Sequence, residues 1–385
     1  MQLAVNKNTA LYLLRSMRAR GASPRYALSR RCNLPTASPH PHKRWSKKGL
    51  RAFVRSNKLA STAPLEQVDI AVPSGAPRLY LSIARCSTYG SGLPKRSFVD
   101  LGSGLFMSSP ELLFVELAPE LSLPEHLMLG LELCGGFSRD PDNPIEGDCT
   151  FDVQPVTSRE RISAFIERCG RLKGVGPARR TLALLADNAW SPTEAAVAVM
   201  ISLPLEEYGY ELGRCVLNPR FSTPKHLQRA AVRESRVPDI LIEGTSVGIN
   251  YDGAVHFDLD SVVSATMALD RDPGSAALSC ALTETMNAVR AKLVDDIRRN
   301  RELAADGLTV FPVVKEDLYE EGGLDRVMAQ VVAALEAHEG VEHPLQRDAL
   351  ASAFASKERQ ALVRSLIPGP DRELDPSCVE AFVGY

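Results

Sequence analysis

The sequence predicts an α/β protein: a mixed sheet flanked by helices in the C-terminal half, preceded by a mainly helical region. Three observations lead there. From Leu278 to Ala305 the apolar residues Leu278, Leu282, Met286, Val289, Leu293 and Ile297 recur at steps of 4, 4, 3, 4 and 4, the period of a helix. Short apolar runs at 215–217, 240–242, 247–252 and 308–313, with the turn Gly244-Thr245-Ser246 between two of them, have the length and composition of strands. Ser191-Pro192-Thr193-Glu194 opens a helix ahead of them, with Ser as N-cap and Pro in the first turn. Helix, hairpin, helix, strand and a last helix over 324–337 make an α/β sandwich.

The chain has 385 residues, enough for two or three domains, and 44% hydrophobic residues, enough to build cores. No apolar run reaches the ~18–20 residues of a membrane span. The eight cysteines, at 32, 86, 134, 149, 169, 215, 280 and 378, form no Cys-x-x-Cys pair and no zinc spacing. A reducing, cytoplasmic setting is the expectation.

The net charge of −2 hides an asymmetry. Residues 1–60 carry fourteen Lys/Arg and no acid, which leaves the remainder at −16. Such a basic arm attracts a polyanion through counterion release. It would also fold back on the acidic body, and an Arg- and Ser-rich, acid-free N-terminus has the look of a targeting peptide. Within the arm, Ala10 to Leu14 reads as a short amphipathic helix and Pro35 to Pro41 as a linker. A second small helix from Trp45 places Leu50, Phe53 and Val54 opposite Lys43, Arg44, Lys47 and Lys48, the candidate DNA contacts of the arm.

Residues 61–150 read as a mainly helical accessory domain. Leu79 to Ile83 has strand character, and Ser108-Ser109-Pro110-Glu111 opens a helix. A Pro- and Gly-containing acidic stretch over 138–150 reads as a linker. A helix over 158–169 then leads to Leu172-Lys173-Gly174-Val175-Gly176-Pro177-Ala178-Arg179-Arg180. That run resembles the hairpin of helix-hairpin-helix DNA-binding elements, with Arg179 and Arg180 beside a phosphate. The plainer reading is a Gly-Pro helix start with two exposed arginines. The C-terminal α/β domain covers 158–340, and 341–385 reads as a helical tail.

Val237-Pro238-Asp239-Ile240-Leu241-Ile242, then Ile249-Asn250-Tyr251-Asp252-Gly253 and His256, then Asp296, Arg299, Leu303 and Gly307 on the long helix, stand in an ordered set. This set resembles the very-short-patch-repair branch of the PD-(D/E)XK endonucleases over about 120 residues. The resemblance implies a restriction-endonuclease-like mixed-sheet core flanked by helices, and the activity of a metal-dependent DNA endonuclease. Asp239 and Asp252 would hold Mg²⁺, His256 would assist with water or phosphate, Glu194 and Lys292 would support the site, and Arg299 would contact DNA. The physical demand is clear: hydrolysis of a phosphodiester needs a cation that polarises the phosphate and lowers the pKa of water, and Mg²⁺ takes hard oxygen ligands.

One departure stands out. That pattern has Glu where this chain has Asn250, and an amide carries no charge. Glu243, farther along the Asp239 strand, is another candidate acid. Positions 250 and 252 share a sheet face, and Asp239 joins them only if it pairs with 252 or two residues away. Each residue also has a plainer role: Glu194 closing a capping box with Ser191, Asp252-Gly253 making a turn, His256 a surface histidine, and Lys292 and Arg299 a solvated face paired with Asp295 and Asp296. A catalytically dead nuclease fold that binds DNA, or regulates a partner as antitoxin-like proteins do, is the competing expectation, with the N-terminal half as a protein-contact region. No Gly-x-Ser-x-Gly, Walker A, His-Glu-x-x-His or Gly-x-Gly-x-x-Gly motif is present.

Overall fold

The computed structural model describes residues 1–21, 28–41, 45–55, 66–222, 235–252, 259–272 and 274–367; at 222, 235, 236, 252, 259–261, 292, 293 and 339 it describes the backbone alone. The chain divides into two units, Met1–Gly209 with Arg364–Tyr385, and Tyr210–Val363. Both are mixed α/β.

The first unit is built on a six-stranded sheet. Its strands are β1 (Leu3–Val5), β2 (Arg31–Cys32), β3 (Val68–Pro73), β4 (Ala84–Tyr89), β5 (Phe98–Gly102) and β6 (Leu105–Ser108), in the order β2-β5-β6-β1-β3-β4. The expected mainly helical domain over 61–150 is therefore corrected: four of its segments are strands. The strand expected at 79–83 lies instead at 84–89, where Arg85, Ser87 and Tyr89 alternate with Cys86 and Thr88 beside β3. Six helices accompany the sheet: α1 (Lys7–Ala19), α2 (Lys47–Arg55), α3 (Pro110–Leu117), α4 (Leu123–Leu133), α5 (Arg159–Arg168) and α6 (Val175–Leu184). A seventh, α7 (Pro192–Ser202), is buried along its length. Ser109 caps α3 through the amide of Leu112, as its sequence requires.

The basic N-terminal arm is corrected as well. Leu3, Ala4 and Val5 are fully buried, and β1 sits between β6, to which it is parallel, and β3, to which it is antiparallel. Hydrophobic burial makes this segment the middle of the sheet, and its charges then need partners. Arg15 makes a bidentate pair with Glu132 at 2.8 and 2.7 Å. Arg18 donates to the carbonyls of Glu132 and Gly135, both at 2.9 Å. Arg30 pairs with Asp100, Arg31 with Glu111, and Lys7 with Glu120. Much of the positive charge thus folds back on acids of its own unit. Lys47 and Lys48 do remain exposed, with Leu50 and Val54 buried beneath α2 and Trp45 edge-on to Phe53. Lys43 and Arg44 lie outside the described residues.

Three buried titratable groups in this unit differ in sign. Burial pushes Glu116 up to about 7, against hydrogen bonds from Tyr89, the Lys7 amide and Ser108. Burial acts on Glu132 too, but Arg15 and Arg139 outweigh it and hold that carboxyl at about 2. Burial lowers His126 to about 4; its Nε2 donates to the Phe114 carbonyl at 2.7 Å, which makes Nδ1 the acceptor from Thr181.

The second unit has a four-stranded sheet of β7 (Cys215–Leu217), β10 (Ile240–Ile242), β11 (Val247–Asp252) and β12 (Thr309–Val314), and a ribbon of β8 (Phe221–Ser222) with β9 (Ser235–Arg236). β7, β10 and β11 form an antiparallel meander, and β11 is parallel to β12. A parallel pair needs a long crossover. It is provided by α8 (Leu259–Arg271) and α9 (Ala276–Ala305). The expected long helix is present, but α8 was not foreseen. The apolar stripe of α9 is only partly interior: Met286 and Ile297 are more than half exposed, while Leu303 is fully buried under the sheet end. After β12 come α10 (Lys315–Tyr319), α11 (Gly323–Glu339), α12 (Pro344–Ala351) and α13 (Ala353–Leu366); of the expected tail over 341–385, residues 368–385 lie outside the described residues. Arg359 of α13 makes a bidentate pair with Asp325 of α11, which also accepts from the Tyr210 hydroxyl. Among the described residues no helix is long and apolar enough to cross a membrane.

Candidate functional site

The register of the second sheet answers the question left by the sequence. Ile240 pairs with Ile249 and Leu241 with Gly248. Continued by one residue, this sets Asp239 opposite Asn250, two positions from 252, so positions 239, 250 and 252 fall on one face. The side chain of Asp252 and all of His256 lie outside the described residues, as does the side chain of Lys292.

Each of the two facing side chains takes a backbone amide of the opposite strand segment. The Asp239 amide donates to Asn250 Oδ1 at 3.1 Å, and the Tyr251 amide donates to Asp239 Oδ2 at 2.7 Å. The Asp239 carbonyl accepts from the Asn218 amide of the neighbouring chain segment at 2.8 Å. Asn250 is fully buried. Its other amide atom, Nδ2, donates to Asn300 Oδ1 of α9 at 3.1 Å. A backbone N–H only donates, so the atom facing Asp239 must be the oxygen, and both amide orientations follow from that. Asn250 therefore ties β10 to β11 and β11 to α9.

On α9, Asp296 stands one turn before Asn300 and so on the same helix face. Arg299 pairs with Asp296 at 3.5 Å, and both side chains are less than a fifth exposed. One oxygen of Asp296, Oδ2, is buried without a hydrogen-bond partner. Arg299, expected to contact DNA, thus has a carboxylate of its own helix one turn away. Asn300 was missed, although its place four residues after Asp296 was a readable sign that it shares the motif's face.

The described donor set offers a cation one carboxylate, Asp239, and one amide oxygen already engaged. Among the described residues no three His, Cys, Asp or Glu converge on a metal position. Mg²⁺ needs several hard oxygen ligands, and the side chains of Asp252 and His256 that the expectation adds lie outside the described residues. Glu243 is half exposed and ion-paired to Arg214, a surface role.

Glu194 belongs to the first unit. It accepts from the Trp190 amide at 3.1 Å while its own amide donates to Ser191 at 3.1 Å, which is the closing of a helix N-terminus. Arg179 and Arg180 are exposed on α6, and Arg180 lies 3.6 Å from Glu207. Gly174 has φ +104, and a Cβ there would come within 2.1 Å of the Val115 carbonyl. That glycine serves the packing of α6 on α3, so the helix-hairpin-helix likeness has a packing cause. No family model, curated protein or solved structure matches the chain.

Proposed function

We propose that the chain is a DNA-binding protein on a nuclease-type fold in which one metal-ligand position has become a structural tie. The observation that carries this reading is the Asn250 side chain, fully buried, with its oxygen on Asp239 and its nitrogen on Asn300. A group spent on two internal hydrogen bonds in the dark of the fold is poorly placed to ligate a hydrated cation. The nuclease-type frame is supported by the antiparallel meander, the crossover through α9 to a parallel strand, and the spacing of Asp239, Asp252, Arg299 and Leu303 that first suggested it.

A second reading, a metal-dependent DNA endonuclease of low activity, is favoured by the shared face of positions 239, 250 and 252. Supercoiled plasmid incubated with Mg²⁺ or Mn²⁺ separates the two. The binding reading expects a salt-sensitive mobility shift and no nicking. Nicking that is lost in Asp239→Ala would establish the second reading and refute the first.

A further inference from the structure

The first unit carries a positive groove apart from the candidate site, to which the N-terminal charge run contributes Arg31 alone. It is a cleft of about 280 Å³ lined by Arg31, Lys95, Arg96, Glu111, Arg161 and Arg168. One wall is the loop between β4 and β5, which carries Lys95 and Arg96. The other is α5, where Arg161 and Arg168 stand seven residues apart on one face. The Gly170 amide donates to the Gly92 carbonyl at 3.1 Å, so loop and helix end are joined.

The floor is charge-saturated. Glu111 is buried and takes Arg31 at 2.7 and 3.1 Å, Arg161 at 2.9 Å and the Thr157 hydroxyl at 3.0 Å. Two guanidinium groups share that one carboxylate, and three further cations line the groove with no acid opposite them. Arg168 is steadied by the Ala164 carbonyl at 3.1 Å and lies over the Phe165 ring. Lys95 and Arg96 are exposed. Arg96 holds a left-handed backbone at φ +61, its amide donating to Asn33 Oδ1 at 2.8 Å. A non-glycine residue there is strained, and folding alone would be served as well by glycine.

We propose that this groove binds the phosphate backbone of nucleic acid; the inference rests on reading the chain as a nucleic-acid-binding protein. Seven residues of helix span ~10 Å, while a strand carries one charge per ~3.4 Å of axis. The α5 wall therefore matches several successive phosphates rather than one isolated anion. Guanidinium forks suit phosphate oxygens. An acidic peptide would want an apolar anchor pocket, and the apolar lining here is Ala164 and the buried Phe165.

The test measures binding of a labelled mixed-sequence oligonucleotide, single-stranded and duplex, to the full chain in EDTA across a salt series. The groove variants are Lys95→Glu/Arg96→Glu, and Arg96→Gly, which relieves the backbone and so keeps the fold. The charge-reversal variant should weaken binding roughly ten- to hundredfold, and lose about 1.5 to 2 from the slope of log K against log salt. Arg96→Gly should lose about half that slope with an unlowered melting temperature. Wild-type binding that both variants retain with unchanged slope overturns the groove assignment and leaves the DNA-binding reading standing. Poly-glutamate held as tightly as the oligonucleotide at equal salt overturns it also, in favour of an acidic polypeptide. A wild type that holds no oligonucleotide overturns both.

Discussion

Replacing Asn250 with Asp puts an acid back on the strand and leaves the shape of the side chain unchanged, so its effect is electrostatic. The oxygen that accepts from the Asp239 amide at 3.1 Å is kept. The donor to Asn300 Oδ1, also at 3.1 Å, becomes an oxygen facing an oxygen. Losing that hydrogen bond and leaving buried acceptors costs about 1–3 kcal/mol. A carboxylate at a fully buried position beside Asp239 adds to it through desolvation and like charge. A total of about 2–4 kcal/mol in a unit of this size lowers the melting temperature by roughly 5–15 °C. The same physics raises the new carboxyl's pKa in the fold. Its protonated form donates to Asn300 again, so the deficit should be largest above neutrality and shrink as pH falls through the raised pKa. Thermal unfolding followed by circular dichroism at several pH values reads this directly. A variant that melts within about 1 °C of wild type at alkaline pH would refute the tie. Millimolar Mg²⁺ gives a separate readout: a rise in melting temperature in the variant, absent from wild type, would mean that position 250 still faces a cation site.

Other consequences follow from the first unit. Glu116→Gln should gain stability relative to wild type by up to about 3 kcal/mol between about pH 5 and pH 8, because a carboxyl raised to about 7 in the fold withdraws stability as pH climbs from its unfolded value through that range; equal pH profiles in urea melts would contradict it. In wild type the lowered His126 works in the opposite direction below its unfolded value of 6.5, so stability should be nearly flat from about 6.5 to 4.5. Below 4.5 it should fall as Glu132, held at about 2, is protonated together with His126. Glu132→Gln should cost about 3–5 kcal/mol, since Arg15 and Arg139 are left buried without their anion; a loss under about 1 kcal/mol would show that carbonyls alone hold them. Gly174→Ala should cost about 2–4 kcal/mol through its contact with the Val115 carbonyl and its positive φ, and DNA affinity measured on its folded fraction should be unchanged.

Legibility tracked the range of the interactions involved. The strand Val247–Asp252, the caps at Ser109 and Ser191, and the helix over 276–305 rest on local patterns, and local patterns can be read in order along the chain. The sheet of the first unit could not be read that way. β1 is three residues long and pairs with residues about seventy and one hundred positions away, and nothing nearby in sequence marks it as central. For the site, the residues were legible but the register was not. Asp239 was singled out from its place before a strand, whereas its pairing with Asn250 depends on how the hairpin closes. That Asn250 works as a tie depends on Asn300, fifty residues on.

Charge shows the same limit more sharply, and it bears on function. A run of fourteen basic residues without an acid reads as a surface for polyanions. In the fold, five of those side chains are committed to carboxylates or carbonyls of their own unit. Sequence charge density measures how many ions a segment has, and folding decides how many remain unneutralised at the surface. The groove's excess comes from Lys95, Arg96 and Arg168, with Arg161 sharing Glu111, in stretches whose composition is unremarkable because acids such as Glu160 and Glu167 stand among them. Helical spacing turns those acids to other faces of α5 and gathers the arginines on one. An electrostatic argument about a partner therefore belongs to faces rather than to segments. The proposed phosphate contact accordingly rests on the α5 groove, while α2 with Lys47 and Lys48 offers a smaller exposed patch. Removing Lys47 and Lys48, the exposed cations of α2, should accordingly shift the salt slope by no more than about 1.5 to 2, and a larger fall would place the main contact on α2 instead.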